Sequence, residues 1–245
     1  LQLSLEIEIK KVSPTSMNTY NRCPRLWKYS KLQERLELQT IQIDDLGQRL
    51  GANYHNQIIP QFFKNIQEKP TSKQIEDCAR EAFNGTFDDS LSSMKREAES
   101  ILVNFIEFEK SRAMTWKKYY PDFIEKRLEN DLFNGIIDFY CDGVIIDWKT
   151  GDVNSINNDI LRQGGVYRVI GEDNDFIVKK ILFVLLRSGK SIELPVTTRG
   201  WIEEERRKFV SNVENGNFRP NYGWHCKWCP FILRCWNEDV RTLWD

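Results

Sequence analysis

The stretch Leu132-Phe-Asn-Gly-Ile-Ile-Asp-Phe-Tyr-Cys-Asp-Gly-Val-Ile-Ile-Asp-Trp-Lys-Thr-Gly151 decides the reading of this chain. Two runs of β-branched, aromatic and apolar residues flank Asp142-Gly143, a dipeptide that supplies the positive φ angles of a tight type I′ turn. A two-residue loop fixes the register. Cys141 then faces Val144, Tyr140 faces Ile145, Phe139 faces Ile146, and Asp138 lies across from Asp147. Side chains alternate between the faces of a strand. One face of this hairpin carries Ile137, Phe139, Cys141, Val144, Ile146 and Trp148 and must be core. The other carries Asp138, Asp147 and Lys149. Carboxylates directly opposite on a sheet repel each other. A divalent cation such as Mg²⁺ or Mn²⁺ removes the repulsion, because hard cations take carboxylate oxygens. Lys149 points into the same space, where it can orient or deprotonate a water or stabilise charge on a phosphate.

The rest of the composition sets limits. With 245 residues and a net charge of −1, no global field draws the chain to nucleic acid, so any DNA-binding surface is local. No apolar run approaches a membrane span and nothing resembles a signal peptide, which predicts a cytoplasmic protein without a membrane partner. Six cysteines, at positions 23, 78, 141, 226, 229 and 235, are too unevenly spaced for a secreted disulfide framework and suit a metal or cluster site in a reducing compartment.

Upstream of the hairpin, Leu1 to Lys11 alternates as an edge strand would, and Ser13 starts a helix through a capped turn. Met17 to Tyr29 combines Cys23, a proline break, aromatics and basic residues. The pattern from Asp44 to about Asn65 is helical and places Gly47, Gly51, His55 and Ile58 near one face. Thr71–Gly85 and Asp88–Ala113 read as amphipathic helices, and Phe123 to Leu128 starts the sheet, with Glu125 as a further acidic partner. Downstream, Asp152–Asn158 is a polar loop. Asn157, Asn158 or Asp159 caps a helix to about Ile170 on which Gln163 and Tyr167 share a face. That pair can hold a nucleotide phosphate or a water, or be polar surface. Lys180–Arg187 is a buried central strand, Ser191–Val196 a second strand, and Thr198 caps a helix to Asn215. Strand pairs before and after a helix, with helices around them, make a mixed α/β core.

Near the C-terminus, Cys226, Cys229 and Cys235 put three thiols within ten positions. Thiolates select iron–sulfur clusters or zinc. The fourth ligand is open between Cys23, Cys78, Cys141 and His225. Cys141 on the core face and Cys78 in mid-helix read as structural, and Cys23 shares with the trio a following proline and basic and aromatic neighbours.

These elements together resemble the RecB-like branch of the PD-(D/E)xK nuclease superfamily, in the subgroup with an iron–sulfur cluster that includes the CRISPR-associated Cas four nuclease. Tyr20-Asn-Arg-Cys-Pro-Arg25 resembles its Y-x-x-C-P-R element and Gly51 to His55 its G-x-x-x-H helix. Gly135 to Asp138 resembles its G-x-x-D strand and Asp147-Trp-Lys-Thr-Gly151 its D-x-K-T-G strand. Gln163 with Tyr167 resembles its Q-x-x-x-Y helix, and the last three cysteines resemble its tail. The proline that precedes the first Asp elsewhere in the superfamily is Ile137 here.

The resemblance implies a restriction-endonuclease-like mixed sheet flanked by helices, in a single nuclease domain over 1–245. It comprises a helical region (44–115), a catalytic α/β core (120–215) and an iron–sulfur clasp joining segments 12–35 and 217–240. It implies a [4Fe–4S] cluster on Cys23, Cys226, Cys229 and Cys235, and Mn²⁺ or Mg²⁺ held by His55, Asp138, Asp147 and the Trp148 carbonyl. The expected activity is metal-dependent hydrolysis of DNA, as an exonuclease on ends or single strands, with Asp138, Asp147, Lys149, Gln163 and Tyr167 in catalytic roles. Arg22, Arg25, Lys28 and Lys31 form an expected track for single-stranded DNA, with Trp27 to stack on bases. Protein partners are expected in a DNA-processing or CRISPR adaptation complex. The rival reading is a non-catalytic or partner-dependent DNA-end-binding and assembly module, against which the Asp138, Asp147 and Lys149 set argues.

Overall fold

A computed structural model describes residues 9–36, 38, 40, 45–151 and 155–242. Its helices are α1 (Pro14–Arg22), α2 (Pro24–Leu36), α3 (Leu46–Asn53), α4 (Ile59–Asn65), α5 (Ser72–Thr86), α6 (Lys95–Thr115), α7 (Asn158–Glu172), α8 (Arg199–Glu214) and α9 (Ile232–Thr242). Its strands are β1 (Phe123–Glu129), β2 (Asn134–Cys141), β3 (Val144–Lys149), β4 (Lys180–Leu185) and β5 (Lys190–Glu193). A π-helical turn, Tyr54–Ile58, joins α3 to α4, and 3₁₀ turns cover Asp89–Met94 and Trp224–Trp228. Residues 1–8 of the expected edge strand and 152–154 of the expected polar loop lie outside the described residues. The chain divides into two compact units, one of residues 45–130 and 134–196, the other of 1–44, 131–133 and 197–245.

The first of these units holds a five-stranded sheet in the order β1-β2-β3-β4-β5 among the described residues. β3 and β4 run parallel and the other neighbours antiparallel. The β2–β3 hairpin turns on Asp142 (φ 44°) and Gly143 (φ 85°), the positive angles that a type I′ turn demands. Its pairs are Cys141–Val144, Tyr140–Ile145 and Phe139–Ile146, the register that the Asp-Gly turn predicts. α7 makes the crossover between the parallel strands, and its N-cap Asn157 accepts a hydrogen bond from the Ile160 amide.

The hairpin's apolar face is sealed from below. Phe139, Ile146 and Trp148 have no exposed surface, and the Trp148 ring meets Phe139, Phe63 of α4 and Phe105 of α6 at centroid distances of 5.5, 6.0 and 6.2 Å. An ion pair is buried in this layer. Arg112 donates to both carboxylate oxygens of Glu109, its Nη2 lying 2.6 Å from Oε2, and also to the Tyr119 carbonyl. The guanidinium lies 4.1 Å from the Tyr119 ring centroid and 4.7 Å from that of Phe139. With five donors in a planar fork, arginine can satisfy these partners at once without water.

In the other unit Trp27 is buried among Tyr20, Phe209 and Phe218, and its indole N–H donates to Ser16 Oγ at 2.7 Å. This corrects the expectation that Trp27 is available to stack on bases. The basic residues around it read as a surface, but Phe209 and Phe218, which cover the ring, come from far downstream in the chain. A smaller core of Tyr29, Leu32, Phe231 and Cys235 ties α2 to the start of α9.

Removing one partner of a buried ion pair strands the other charge. Arg112→Leu is therefore expected to lower the unfolding free energy by about 3–5 kcal/mol. The Glu109→Leu, Arg112→Leu double variant is expected to recover most of that loss. Urea unfolding of the three proteins measures both.

Candidate functional site

The polar face of the hairpin begins just beyond the Phe139–Ile146 pair of the β2–β3 ladder. Asp138 continues the register opposite Asp147, but its carboxylate turns to accept from the Trp148 amide at 3.0 Å. β1 adds a third acid. The pairs Ile124–Phe139 and Lys126–Ile137 leave Glu125 opposite Asp138, and Glu125 sits at φ 45°. A left-handed conformation in mid-strand costs a residue with a Cβ of the order of 1 kcal/mol or more.

His55 reaches this face from the π-helical turn. The wider turn keeps Leu50, Tyr54 and Ile58 on the core side and brings Ile59, Phe62 and Phe63 onto it as well. His55 itself is left to face the sheet. Its Nδ1 lies 3.3 Å from Asp138 Oδ2 and 3.4 Å from Glu125 Oε1. Burial opposes a charge on this imidazole, but the carboxylates of Asp138, Glu125 and Asp147 outweigh it and hold its pKa at about 9. Asp138 is displaced upward too. Burial, reinforced by the negative charge of Asp147, raises it well above the usual carboxylate range. Among the described residues, His55, Glu125 and Asp138 form the one group of three or more such side chains whose ligand atoms lie within 4.8 Å of one another.

Asp147 is held in a separate network. Its Oδ1 accepts from Gln163 Nε2 at 2.7 Å and from the Tyr167 hydroxyl at 3.0 Å. Gln163 Nε2 also donates to the Tyr167 oxygen at 2.7 Å, and Lys149 Nζ donates to Gln163 Oε1 at 3.0 Å. The Lys149 ammonium lies 2.5 Å from Asp147 Oδ2, a buried oxygen with no hydrogen bond of good geometry. Tyr167 is buried, and burial with the charges of Asp147 and Asp138 pushes its hydroxyl pKa far up, so it serves as a neutral donor. The i, i+4 spacing of Gln163 and Tyr167 thus puts both on the face of α7 that braces Asp147.

The fit to a hard divalent cation is chemical as well as geometric. Two carboxylates and an imidazole converge on one space, and a buried oxygen of Asp147 lacks a hydrogen bond. Against the expected set of His55, Asp138, Asp147 and the Trp148 carbonyl, the structure adds Glu125 to the first two. Glu125 entered the sequence reading only as a further acid. Its position opposite Asp138 becomes visible once β1 is known to pair antiparallel with β2.

The other unit places the remaining residues. Cys23, Cys226, Cys229 and Cys235 all line one cavity, with Arg25, Tyr29 and His225. Their sulfurs are not drawn together as tightly as the His55 group, since no three of them lie within 4.8 Å of one another. The Gly223 amide donates to Cys226 Sγ at 3.5 Å and Arg25 Nη1 to Cys235 Sγ at 3.6 Å. Burial pushes the Cys229 and Cys235 thiols up, and the neighbouring sulfurs add to it. In the sheet-bearing unit, Cys78 donates to the Phe62 carbonyl, and Cys141 is buried on β2, as structural thiols would be. Of the expected DNA track, Arg22 and Lys31 are exposed, Lys28 lies over Phe218 at 5.2 Å, and Arg25 turns inward to Cys235.

A family model described as the PD-(D/E)XK nuclease superfamily matches residues 11–236, and the chain belongs to that superfamily. No curated protein matches it. The family, the mixed sheet and the His55–Glu125–Asp138 group are together consistent with a metal-dependent nuclease whose partner is nucleic acid. No helix among the described residues is long and apolar enough to cross a membrane.

The backbone of Glu125 makes a test possible. Glu125→Gly removes a carboxylate and relieves a left-handed φ that glycine adopts freely. The variant is expected to be at least as stable as the parent in thermal unfolding and to bind Mn²⁺ at least tenfold more weakly in calorimetric titration. Unchanged Mn²⁺ affinity would remove Glu125 from the ligand set.

Proposed function

We propose that this chain is a metal-dependent deoxyribonuclease of the RecB-like, cluster-containing kind, acting on DNA ends or single strands. The observation that carries the reading is the pairing of two networks on one sheet face. His55, Glu125 and Asp138 converge beside an Asp147–Lys149 pair locked by Gln163 and Tyr167. A binding module has no use for a half-buried lysine held against a buried aspartate beside three further titratable groups.

In this reading His55, Asp138 and Asp147, with Glu125 and the Trp148 carbonyl, hold Mn²⁺ or Mg²⁺. When bound, such a cation supplies Lewis-acid polarisation of a phosphoryl oxygen and a more acidic water. The protein's own groups do the rest. Lys149 is pinned by Asp147 and Gln163, so its ammonium is already oriented when a phosphodiester arrives and can hold the attacking water or offset charge on the phosphate. Gln163 and Tyr167 act as positioning residues. Their donors fix Asp147 Oδ1 and leave Oδ2 toward Lys149. The buried underside of the hairpin, with Trp148 among Phe63, Phe105 and Phe139, keeps the strand from shifting under that load.

In this reading the four cysteines that line one cavity hold the cluster, and the N–H donors from Gly223 and Arg25 suit thiolate ligands. The resemblance to the Cas four type also brings a DNA-processing complex, such as CRISPR adaptation, into the proposal as a setting for the activity.

The test is cleavage of end-labelled single- and double-stranded DNA by anaerobically purified protein, with Mn²⁺, Mg²⁺ or EDTA. Cleavage is expected only with metal, and the product ladder reports polarity and exo- or endonucleolytic action. Asp147→Ala is expected to abolish it. Lys149→Ala is expected to lower the rate by about 10²–10⁴-fold with the circular dichroism spectrum unchanged. No cleavage by a folded, brown protein under any of these conditions would transfer the reading to the non-catalytic assembly module. A colourless, zinc-containing protein that cleaves would remove the cluster alone.

A further inference from the structure

The tryptophans of this chain divide sharply. Trp27 and Trp148 are buried, and Trp116 and Trp201 are partly covered. The three that are exposed among the described residues, Trp224 (77%), Trp228 (66%) and Trp236 (54%), all fall within thirteen positions, and Tyr222 beside them is also exposed. A soluble protein gains nothing in stability from leaving such rings in water, and a concentration of them on one segment marks a contact surface.

Local geometry pairs the rings with charge. Trp224–Trp228 is a 3₁₀ turn, in which residues three apart eclipse, so Lys227 lies on the same side as Trp224. On α9, Leu233 and Trp236 are one turn apart and both exposed. Two segments of this unit are one-sided in charge as well, although the unit as a whole is mixed. Residues 10–33 contain six Lys and Arg and no Asp or Glu, and residues 215–237 contain three and none, in a chain whose totals are 35 and 36. The near-neutral total hides two wholly basic segments, and both belong to the unit that carries the exposed rings.

We propose that Tyr222, Trp224, Trp228 and Trp236 form a stacking platform for single-stranded DNA, with Lys227 and the basic helix α2 taking its phosphates. Exposed aromatic rings beside basic segments are the combination that single strands require, because every base has a stackable face and every linkage a negative charge. Within residues 10–33 and 215–237 a protein partner would find no acidic group to pair with its own lysines and arginines, and the adjoining Glu238 is already paired with Arg234 at 3.2 Å. The inference rests on the proposed function for the choice of DNA. It also replaces Trp27 with rings that solvent can reach.

The experiment is fluorescence anisotropy of labelled oligothymidylate, twenty nucleotides long, in EDTA so that cleavage plays no part. The cluster-loaded 245-residue protein is compared with Trp224→Ala, Trp236→Ala, Trp228→Phe and Lys227→Gln, each checked for its visible absorbance. Each Trp→Ala change is expected to weaken binding by about 5- to 150-fold. Trp228→Phe is expected to retain most of the affinity, and Lys227→Gln to reduce the slope of log Kd against log salt by about one counterion or less. A blunt duplex of the same length is expected to be insensitive to Trp224→Ala. Unchanged oligothymidylate affinity in both alanine variants would overturn the proposal. So would equal losses for single strand and duplex, or a self-association in sedimentation that the variants abolish while DNA affinity stays constant. That last result would assign the surface to protein contact. Cleavage is scored separately. A chain that binds through these rings but never cuts sinks the nuclease reading alone, and one that cuts but ignores them sinks the platform alone.

Discussion

Electrostatic repulsion on one sheet face governs this structure. Antiparallel pairing of β1 with β2 and of β2 with β3 brings Glu125, Asp138 and Asp147 side by side on adjacent strands. Unit charges about 5 Å apart repel by about 3 kcal/mol at an effective dielectric constant near 20, and burial adds the cost of lost hydration. The neighbouring groups answer that repulsion one oxygen at a time. The Trp148 amide and the His55 imidazole meet Asp138, while Gln163, Tyr167 and Lys149 meet Asp147. Even so, Asp138 is held well above its ordinary pKa and His55 is raised to about 9, so without a cation the site relieves its charge by taking up protons. A divalent ion does the same work without them.

Much of this was legible in the amino-acid sequence because it depends on local rules. Asp142-Gly143 has one comfortable turn, and that turn fixes which residues of β2 and β3 face each other. Thr71, Asn157 and Thr198 each cap the helix that follows, as their short oxygen-bearing side chains lead one to expect. The departures are non-local. Gln163 and Tyr167 share a helix face on spacing alone, but whether that face meets substrate or Asp147 depends on how α7 lies on the sheet. The left-handed Glu125 carries no residue signal, since it is not a glycine, whereas the π-helical turn at His55 ends two residues before Pro60, whose missing N–H interrupts the helical ladder. Trp27 reads like an exposed ring because its cover comes from Phe209 and Phe218, far along the chain, whereas the exposure of Trp224 and Trp228 follows from a 3₁₀ turn too short to bury both.

Net charge misleads in the same way. A total of −1 describes a chain in which residues 10–33 and 215–237 are wholly basic, so the excess acid must lie elsewhere. For a polyanionic partner the relevant quantity is the local sign within a Debye length, about 8 Å at physiological salt. Summing over 245 residues averages over several such lengths and discards the information.

Two glycines show how distance, and not only chemistry, is written into the site. A Cβ at Gly51 would meet Thr150 Oγ1 at 2.7 Å, and one at Gly135 would meet Ile170 Cδ1 at 3.2 Å and the Tyr167 ring at 3.4 Å. Gly51 lies one helical turn before His55, so its missing side chain lets the helix that carries the imidazole come down against the residue just after Lys149. Gly135 precedes Asp138 by three positions on β2 and lets α7 settle close enough for Tyr167 to reach Asp147. Neither position has a positive φ, so backbone freedom is not what glycine supplies there. It supplies room. An alanine at Gly51 must push the helix or Thr150 aside, and hydrogen bonds and ion pairs of 2.5–3.5 Å lose most of their value over a shift of a single ångström. The spacing of a small residue four before the histidine and three before the aspartate therefore sets the two helices at the height where their side chains meet the carboxylates of the sheet.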